Sequence, residues 1–243
     1  IKTLIGSRTF LFEHQIDTII RALNEKECRL MLADEVGLGK TIEALVIIKG
    51  LKKKSERVLL IIPEALTNQW RNELEFKFWM KSVIFDGTNI DDEDIVIVSY
   101  EDINLLNIRD IEGEFDYCVI DEVHRLVGEE RVYNKILQIS KSVSKLLLLS
   151  ATPIQKRKEE YLKLLTLLKP DKYEDLSEEE FSDIVDKNKK IKKLVYKICR
   201  DLPEIYGEEV DEDDVEEIFD YLEEISDDLE DKCLEKMVDE LDL

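Results

Sequence analysis

From residue 14 to about residue 168, short apolar runs alternate with longer stretches in which apolar residues recur every three or four positions. The runs at 29–33, 58–62, 83–85, 95–99, 118–121 and 146–150 predict strands. Most are apolar from end to end, the pattern of strands covered on both faces of a parallel sheet. Between them, Ile16, Ile19, Ile20 and Leu23 fall at i, i+3, i+4 and i+7, and similar faces cross 42–51, 66–76, 132–139 and 161–168. Those spacings predict helices that lay one side on the sheet. Strand and helix in alternation define an α/β lobe, a doubly wound parallel sheet, over residues 1–170. Such sheets bind ligands beyond the carboxyl ends of their strands, so chemistry is sought in the residues that follow each strand.

Beyond Lys169-Pro170-Asp171 the pattern changes. Phe181, Ile184 and Val185, then Ile191, Leu194, Val195 and Ile198, then Val215, Ile218, Phe219, Leu222, Ile225 and Leu229, then Cys233, Met237 and Leu241 keep helical spacing. Residues 171–243 are therefore expected to form three or four amphipathic helices, punctuated by Pro203 and Gly207, with Asp213 or Asp214 as an N-cap. Charge divides at the same place. The net charge is −22; residues 1–170 hold 25 Lys+Arg against 28 Asp+Glu, net −3, and residues 171–243 hold 10 against 29, net −19. An acidic surface repels a polyanion, so the charge argument against nucleic acid applies to the tail and not to the lobe. Seven of the tail's ten basic residues crowd into 187–200. They form either a helix paired with acidic neighbours in a small bundle or a contact for nucleic acid or a partner.

Cys28, Cys118, Cys199 and Cys233 are too scattered for a C-x-x-C metal site or a disulfide framework and read as buried thiols. No run of 18 apolar residues and no charged-then-apolar leader occurs. The chain is expected to work without a membrane, inside the cell: in the cytoplasm by the nucleoid of a prokaryote, or in the nucleus of a eukaryote. Its start at Ile1 instead of Met gives the expectation that it is cut from a longer or processed protein.

Two segments carry the chemistry. Leu32-Ala33-Asp34-Glu35-Val36-Gly37-Leu38-Gly39-Lys40-Thr41 follows a strand and opens a helix, the order a phosphate-binding loop requires. A glycine-containing turn at a helix start lets backbone N–H groups approach a triphosphate, and the helix dipole favours its charge. Lys40 would reach the β- and γ-phosphates and the Thr41 hydroxyl would hold Mg²⁺. The spacing departs from strict G-x-x-x-x-G-K-T, because Asp34 stands where the first glycine would be. The second segment, Phe115-Asp116-Tyr117-Cys118-Val119-Ile120-Asp121-Glu122-Val123-His124, is a strand ending in two carboxylates. Asp121 can reach Mg²⁺ directly or through water, and Glu122 can orient and deprotonate an attacking water.

In order and spacing, Asp34 to Thr41, Asp121 to His124, and Ser150-Ala151-Thr152-Pro153 resemble motifs I, II and III of the superfamily-two helicases and translocases. Motif I is similar to that of the Swi/Snf branch, and within it to the RapA-like members, where Asp replaces the first loop glycine. The Ala of Ser150-Ala151-Thr152, where many Swi/Snf members carry Gly, leans the same way. Phe12-Glu13-His14-Gln15 resembles the adenine-reading Q segment. Ile62-Pro63-Glu64-Ala65-Leu66 with Gln69-Trp70 and Glu73 resembles motif Ia, and Val98-Ser99-Tyr100-Glu101 resembles motif Ib. The resemblance covers roughly residues 8–170.

It implies a RecA-like first lobe that takes ATP and Mg²⁺. Asp34, Glu35, Val36, Gly37, Leu38, Gly39, Lys40 and Thr41 would cradle the nucleotide, with Gln15 on adenine. Lys40, Asp121 and Glu122 would be the catalytic residues, and Thr41 and Asp121 the metal ligands. Ser150 and Thr152 would couple the site to a bound strand. His124 is either part of that coupling or a hydrogen-bonded turn residue. Duplex DNA would cross the face near motifs Ia and Ib, with Pro63, Gln69, Ser99 and Tyr100 as candidate contacts, mostly to phosphates. Trp70 and Trp79 can be read as base-stacking platforms, but the spacing of Trp70 and Phe76 assigns those two to the core. The resemblance also implies a second RecA-like lobe bearing arginine fingers, not found in these 243 residues. The acidic tail takes the place of a helical insertion that bridges or gates two lobes. The parent would be a DNA-dependent ATPase remodelling RNA polymerase or another DNA-bound protein. An RNA helicase, a restriction-type motor and a non-catalytic ATP-sensing module that recruits a basic partner remain as alternatives.

Overall fold

The computed structural model of the chain describes residues 11–24, 28–33, 39–88, 90, 93–150 and 158–187. Two compact units divide the chain, Ile1–Leu176 and Ser177–Leu243. In the first, α1 (Glu13–Asn24), β1 (Arg29–Leu32), α2 (Lys40–Leu51), β2 (Val58–Ile62), α3 (Glu64–Phe78), β3 (Val83–Ile84) and β4 (Ile95–Ser99) are followed by α4 (Ile108–Ile111), β5 (Tyr117–Ile120), α5 (Glu130–Ser142), β6 (Lys145–Leu149), α6 (Lys158–Leu168) and α7 (Pro170–Tyr173). Short 3₁₀ turns occupy Ile103–Leu105 and Val123–Gly128. All six strands run parallel in the order β1-β6-β5-β2-β4-β3.

The apolar runs form strands because both faces of each are covered. Alternation along β2 sends Leu59 and Ile61 into one core with Val96, Val98, Cys118, Ile120, Leu146 and Leu148, beneath α5 and α6. Val58, Leu60 and Ile62 enter the other core with Val119, Leu147 and Leu149, beneath α2 and α3. Cys28 and Cys118 are buried free thiols; burial pushes the Cys118 thiol up to about 12. Strands β2 and β4 fill the expected spans. Strand β5 ends at Ile120 and β6 at Leu149, one residue sooner than the apolar runs suggest, which leaves Asp121 and Ser150 just past the sheet.

Two helical faces differ from expectation. On α1 the buried residues are Gln15, Ile19 and Ala22, while Ile16 and Ile20 face outward. On α3 the buried residues are Thr67, Trp70, Leu74 and Phe78, and Phe76 is 68% exposed instead of a core residue. The Trp70, Leu74, Phe78 row advances by whole turns, and Phe76 falls on the opposite side of the helix. Trp79, in the left-handed region with φ 57, is also exposed. The 3₁₀ turns, α4 and α7 are too short to show periodicity. Pro170, at the first turn of α7, is buried, and residues 171–176 belong to the first compact unit.

Of the acidic tail, residues 177–187 are described, with a helix over 178–187. Ser177 and Glu180 open it reciprocally: the Glu180 N–H donates to Ser177 Oγ at 3.2 Å and the Ser177 N–H to Glu180 Oε2 at 2.9 Å. The other expected tail helices lie outside the described residues. No helix among the described residues is long and apolar enough to cross a membrane.

Arg29 ties the first strand to two helix ends. Its guanidinium donates to the carbonyls of Ser140 (3.0 Å) and Val143 (2.9 Å) at the end of α5, and of Leu167 (2.8 Å) and Leu168 (2.6 Å) at the end of α6. Helix C-termini leave carbonyls without partners and carry partial negative charge, so one planar cation answers both. Arg29→Lys keeps the charge but loses the fork. It is expected to lower stability by about 2 kcal/mol, read from the urea midpoint, because charged hydrogen bonds contribute about 1.5–3 kcal/mol.

Candidate nucleotide site

Parallel pairing in register aligns the strand ends along one edge. Leu32 pairs with Leu149, Ile120 with Leu148, Ile61 with Ile120, and Ile62 with Ser99. The residues after β1, β6, β5, β2 and β4 therefore stand side by side, in that order. Segments far apart in sequence become neighbours: the glycine loop, Ser150, Asp121-Glu122, Pro63-Glu64 and Tyr100-Glu101.

Residues 34–38 of the loop, and with them Asp34, Glu35, Val36, Gly37 and Leu38, lie outside the described residues, as does Thr152. The loop's end is described. Gly39 sits at φ 85, ψ 28, immediately before Lys40 and Thr41 open α2. Only glycine holds that left-handed conformation without cost. A Cβ there would also stand 2.7 Å from Gln15 Nε2. Gln15 is buried, and its Oε1 accepts the Phe12 N–H at 2.9 Å, so the same amide fixes the start of α1 and packs on the loop. Helix α2 is buried from Glu43 to Ile48, and its first turn with Lys40 and Thr41 faces the strand ends, half-buried.

Asp121 is the most constrained group at the edge. The residue is 7% exposed. Oδ2 accepts the indole N–H of Trp70 at 2.9 Å and Oδ1 accepts the Glu122 N–H at 2.8 Å. Its main-chain N–H donates to Ile61 O at 3.0 Å, and its carbonyl accepts the Tyr100 hydroxyl at 2.5 Å. Burial raises its pKa above the usual carboxylate value; the Trp70 and Glu122 hydrogen bonds and the charge of Lys40 pull the other way, while the Glu122 charge adds to the rise. Lys40 and Asp121, 81 positions apart, thus act on each other electrostatically across the strand ends.

Glu122 turns away from the strand in the left-handed region, φ 52, ψ 42, which strains a residue with a Cβ. Its Oε2 lies 3.2 Å from His124 Nδ1, and that nitrogen lies 3.4 Å from Ser150 Oγ. His124 thereby joins the Asp-Glu segment to the residue after β6, as a coupling residue or a turn residue with two polar neighbours would.

The candidate nucleic-acid contacts fare differently. Gln69 is exposed and donates to Glu73 at 3.2 Å. Pro63 is buried at the start of α3. Ser99 is buried with its hydroxyl donating to Asp102 Oδ2 at 2.7 Å, and Tyr100 is buried with its hydroxyl on Asp121. Both hydroxyls are thus engaged inside the lobe. Spacing assigned Trp70 to the core, and it is 1% exposed there, but its hydrogen bond to Asp121 was not foreseen. The one sequence signal was the indole's need for an acceptor when buried.

The donor set fits a nucleotide with its cation: a glycine-opened helix start, a lysine, a threonine hydroxyl, and a buried carboxylate with unused lone pairs. Sheet and site together define a RecA-like α/β lobe of the kind built around a phosphate-binding loop. A sequence profile of the SNF2-related domain matches residues 14–206. The chain belongs to that family and is a first lobe of the Swi/Snf type within superfamily two. The solved SWI2/SNF2 ATPase core of Sulfolobus solfataricus, in complex with dsDNA, is similar in fold, with a TM-score of 0.60 and 23% identity over 73% of this chain. The match takes in 39% of that other chain, so the present chain spans well under half of its length.

Two outcomes follow from the backbone. Gly39→Ala places a methyl group against Gln15 and strains the loop; nucleotide affinity measured by calorimetry is expected to fall about five- to thirtyfold, as a strain of about 1–2 kcal/mol implies. Glu122→Gly relieves the left-handed strain and removes a charge beside Asp121. It is expected to raise the thermal midpoint by a few degrees, equivalent to about 0.5–1 kcal/mol, although it deletes a candidate catalytic group.

Proposed function

We propose that this lobe binds ATP with Mg²⁺ and forms one half of a motor that hydrolyses ATP and moves along duplex DNA, in the RapA-like branch of the Swi/Snf family. The observation that carries the reading is the buried, hydrogen-bonded carboxylate of Asp121 within electrostatic reach of Lys40, on the same edge of the sheet with only β6 between their strands. Lys40 and Thr41 would hold phosphate oxygens and the cation, and Asp121 would hold the cation from the opposite side. The cation, when bound, neutralises charge on the phosphates. Glu122, poised beyond Asp121 and beside His124, would orient the attacking water and take its proton. Gln15, packed against Gly39, would favour adenine.

Duplex DNA would lie along the edge where α3 begins and β4 ends, with Gln69 and main-chain N–H groups on phosphates. The similar Sulfolobus solfataricus core was solved in complex with dsDNA, which supports duplex DNA as the partner. A second lobe of the parent would supply arginine fingers, worth about 10³–10⁵ in rate in related phosphoryl transfer. RNA polymerase or another DNA-bound protein is the proposed object of remodelling, and the acidic tail the proposed bridge between lobes, in a cytoplasmic, nucleoid-associated protein or a nuclear one.

The 243-residue chain is expected to bind ATP weakly and to turn it over slowly or not at all, with Lys40→Ala and Asp121→Asn both weakening Mg-ATP binding further. In the parent, Glu122→Gln is expected to abolish turnover while sparing binding, and duplex DNA is expected to stimulate turnover more than RNA. Brisk hydrolysis by the isolated chain, stimulation by RNA alone, or unchanged turnover in the Glu122→Gln parent each contradicts a separate part of the reading.

A further inference from the structure

An aspartate at a strand end has freedom that a metal ligand cannot retain. Its terminal torsion is broad and two-fold, so a carboxylate held only by its own main chain samples several orientations. The Glu122 N–H on Oδ1 is a contact of that local kind. The Trp70 N–H on Oδ2 is not: it comes from 51 positions earlier in the chain, from the middle of α3, on a side chain packed among Leu74, Phe78 and the strands. The Tyr100 hydroxyl on the Asp121 carbonyl comes from the end of β4, also from within the core. The two props are linked in turn, since the Glu64 N–H at the start of α3 donates to Glu101 Oε2, next to Tyr100, at 3.2 Å.

We propose that Trp70 and Tyr100 are positioning residues for magnesium, Trp70 holding the Asp121 carboxylate and Tyr100 its main-chain carbonyl, so that the carboxylate meets the ion in one orientation. The inference rests on the reading of Asp121 as the metal carboxylate. The residue types suit the task. An indole is a donor only and carries no charge, so it fixes one lone pair of Oδ2 without competing as a ligand or repelling a cation. A lysine or arginine in its place would neutralise the carboxylate it holds. The tyrosine hydroxyl acts on the main-chain oxygen and leaves both carboxylate oxygens to the ion and the indole. Strands β2 and β4, lying in succession beside β5, deliver these two groups to the same aspartate.

The test uses the 243-residue chain and a fluorescent ATP analogue, titrated first in EDTA and then with rising Mg²⁺. Trp70→Phe and Tyr100→Phe are expected to leave metal-free affinity within about twofold of the parent chain. They are expected to raise the Mg²⁺ concentration for half-maximal tightening by about tenfold or more, the usual effect of removing a partner that orients a metal ligand. Tyr100→Phe removes a single oxygen and keeps the ring, so it answers the question even where Trp70→Phe fails to fold by thermal melting. Asp121→Asn separates the two levels of the claim. An unchanged magnesium requirement in Asp121→Asn overturns the site reading itself. A raised requirement in Asp121→Asn with none in Tyr100→Phe or a folded Trp70→Phe overturns this inference alone. Equal losses of metal-free and magnesium-dependent binding mark a merely structural role and overturn it too.

Discussion

A carboxylate buried at the end of a fully apolar strand must be given partners, and the supply of those partners to Asp121 organises the lobe. An ionised group taken out of water is costly unless hydrogen bonds and opposite charge replace its hydration. Here the replacements arrive from three directions: the Trp70 indole, the Glu122 N–H and the Lys40 charge. Each demands something of the fold. Trp70 requires α3 to follow a strand adjacent to β5, which the pairing of β2 with β5 provides. Lys40 requires the first turn of α2 to stand at the same edge as the end of β5, which the parallel order β1-β6-β5 provides. A strand order that separated β2 from β5 would strand the carboxylate, whatever the hydrophobic pattern.

The same edge explains how motifs separated by many residues can act as one unit. Only an all-parallel sheet brings five successive strand ends to one side, and its crossovers are covered by helices on both faces. Ser150, after β6, falls between the loop after β1 and the Asp-Glu pair after β5. His124 Nδ1 lies near both Glu122 and Ser150, and Tyr100 and Trp70 meet Asp121 from the other flank. The arrangement is a row of short polar contacts resting on two apolar cores, and a shift at one end has few soft places in which to dissipate.

Much of this was legible in the chain. The strands announced themselves because residues such as Val58 to Ile62 are covered on both faces and need no polar alternation. The chemical residues announced themselves by following strands. Side-chain direction was harder to read. Phe76 is as apolar as Phe78, yet only Phe78 lies on the row with Trp70 and Leu74. Ile16 and Ile20 keep helical spacing but face outward, because the inward row of α1 runs through Gln15, Ile19 and Ala22. A polar residue on that row is invisible to a hydrophobic count, although Gln15 is there to cap its own helix and to pack on Gly39. Ser99 and Tyr100 illustrate the converse. Hydroxyls at a strand end look available for phosphate, whereas in the fold Asp102 and Asp121 engage them. The short turns between β4 and β5 have no period to read.

The lobe also carries two features that stability alone would remove. Glu122 occupies a backbone conformation that glycine would hold more easily, and its charge sits beside a carboxylate whose pKa burial already raises. Both act in the same direction, raising the free energy of the folded lobe without ligand. Strain of this kind persists only where surrounding structure over-determines it, and here the props on Asp121 do so from α3 and β4. A divalent cation bound at Asp121 would be the largest local charge, and it would favour the ionised forms that burial and repulsion now oppose. The unfavourable energy held at the end of β5 thus becomes part of the preference for the metal-nucleotide complex.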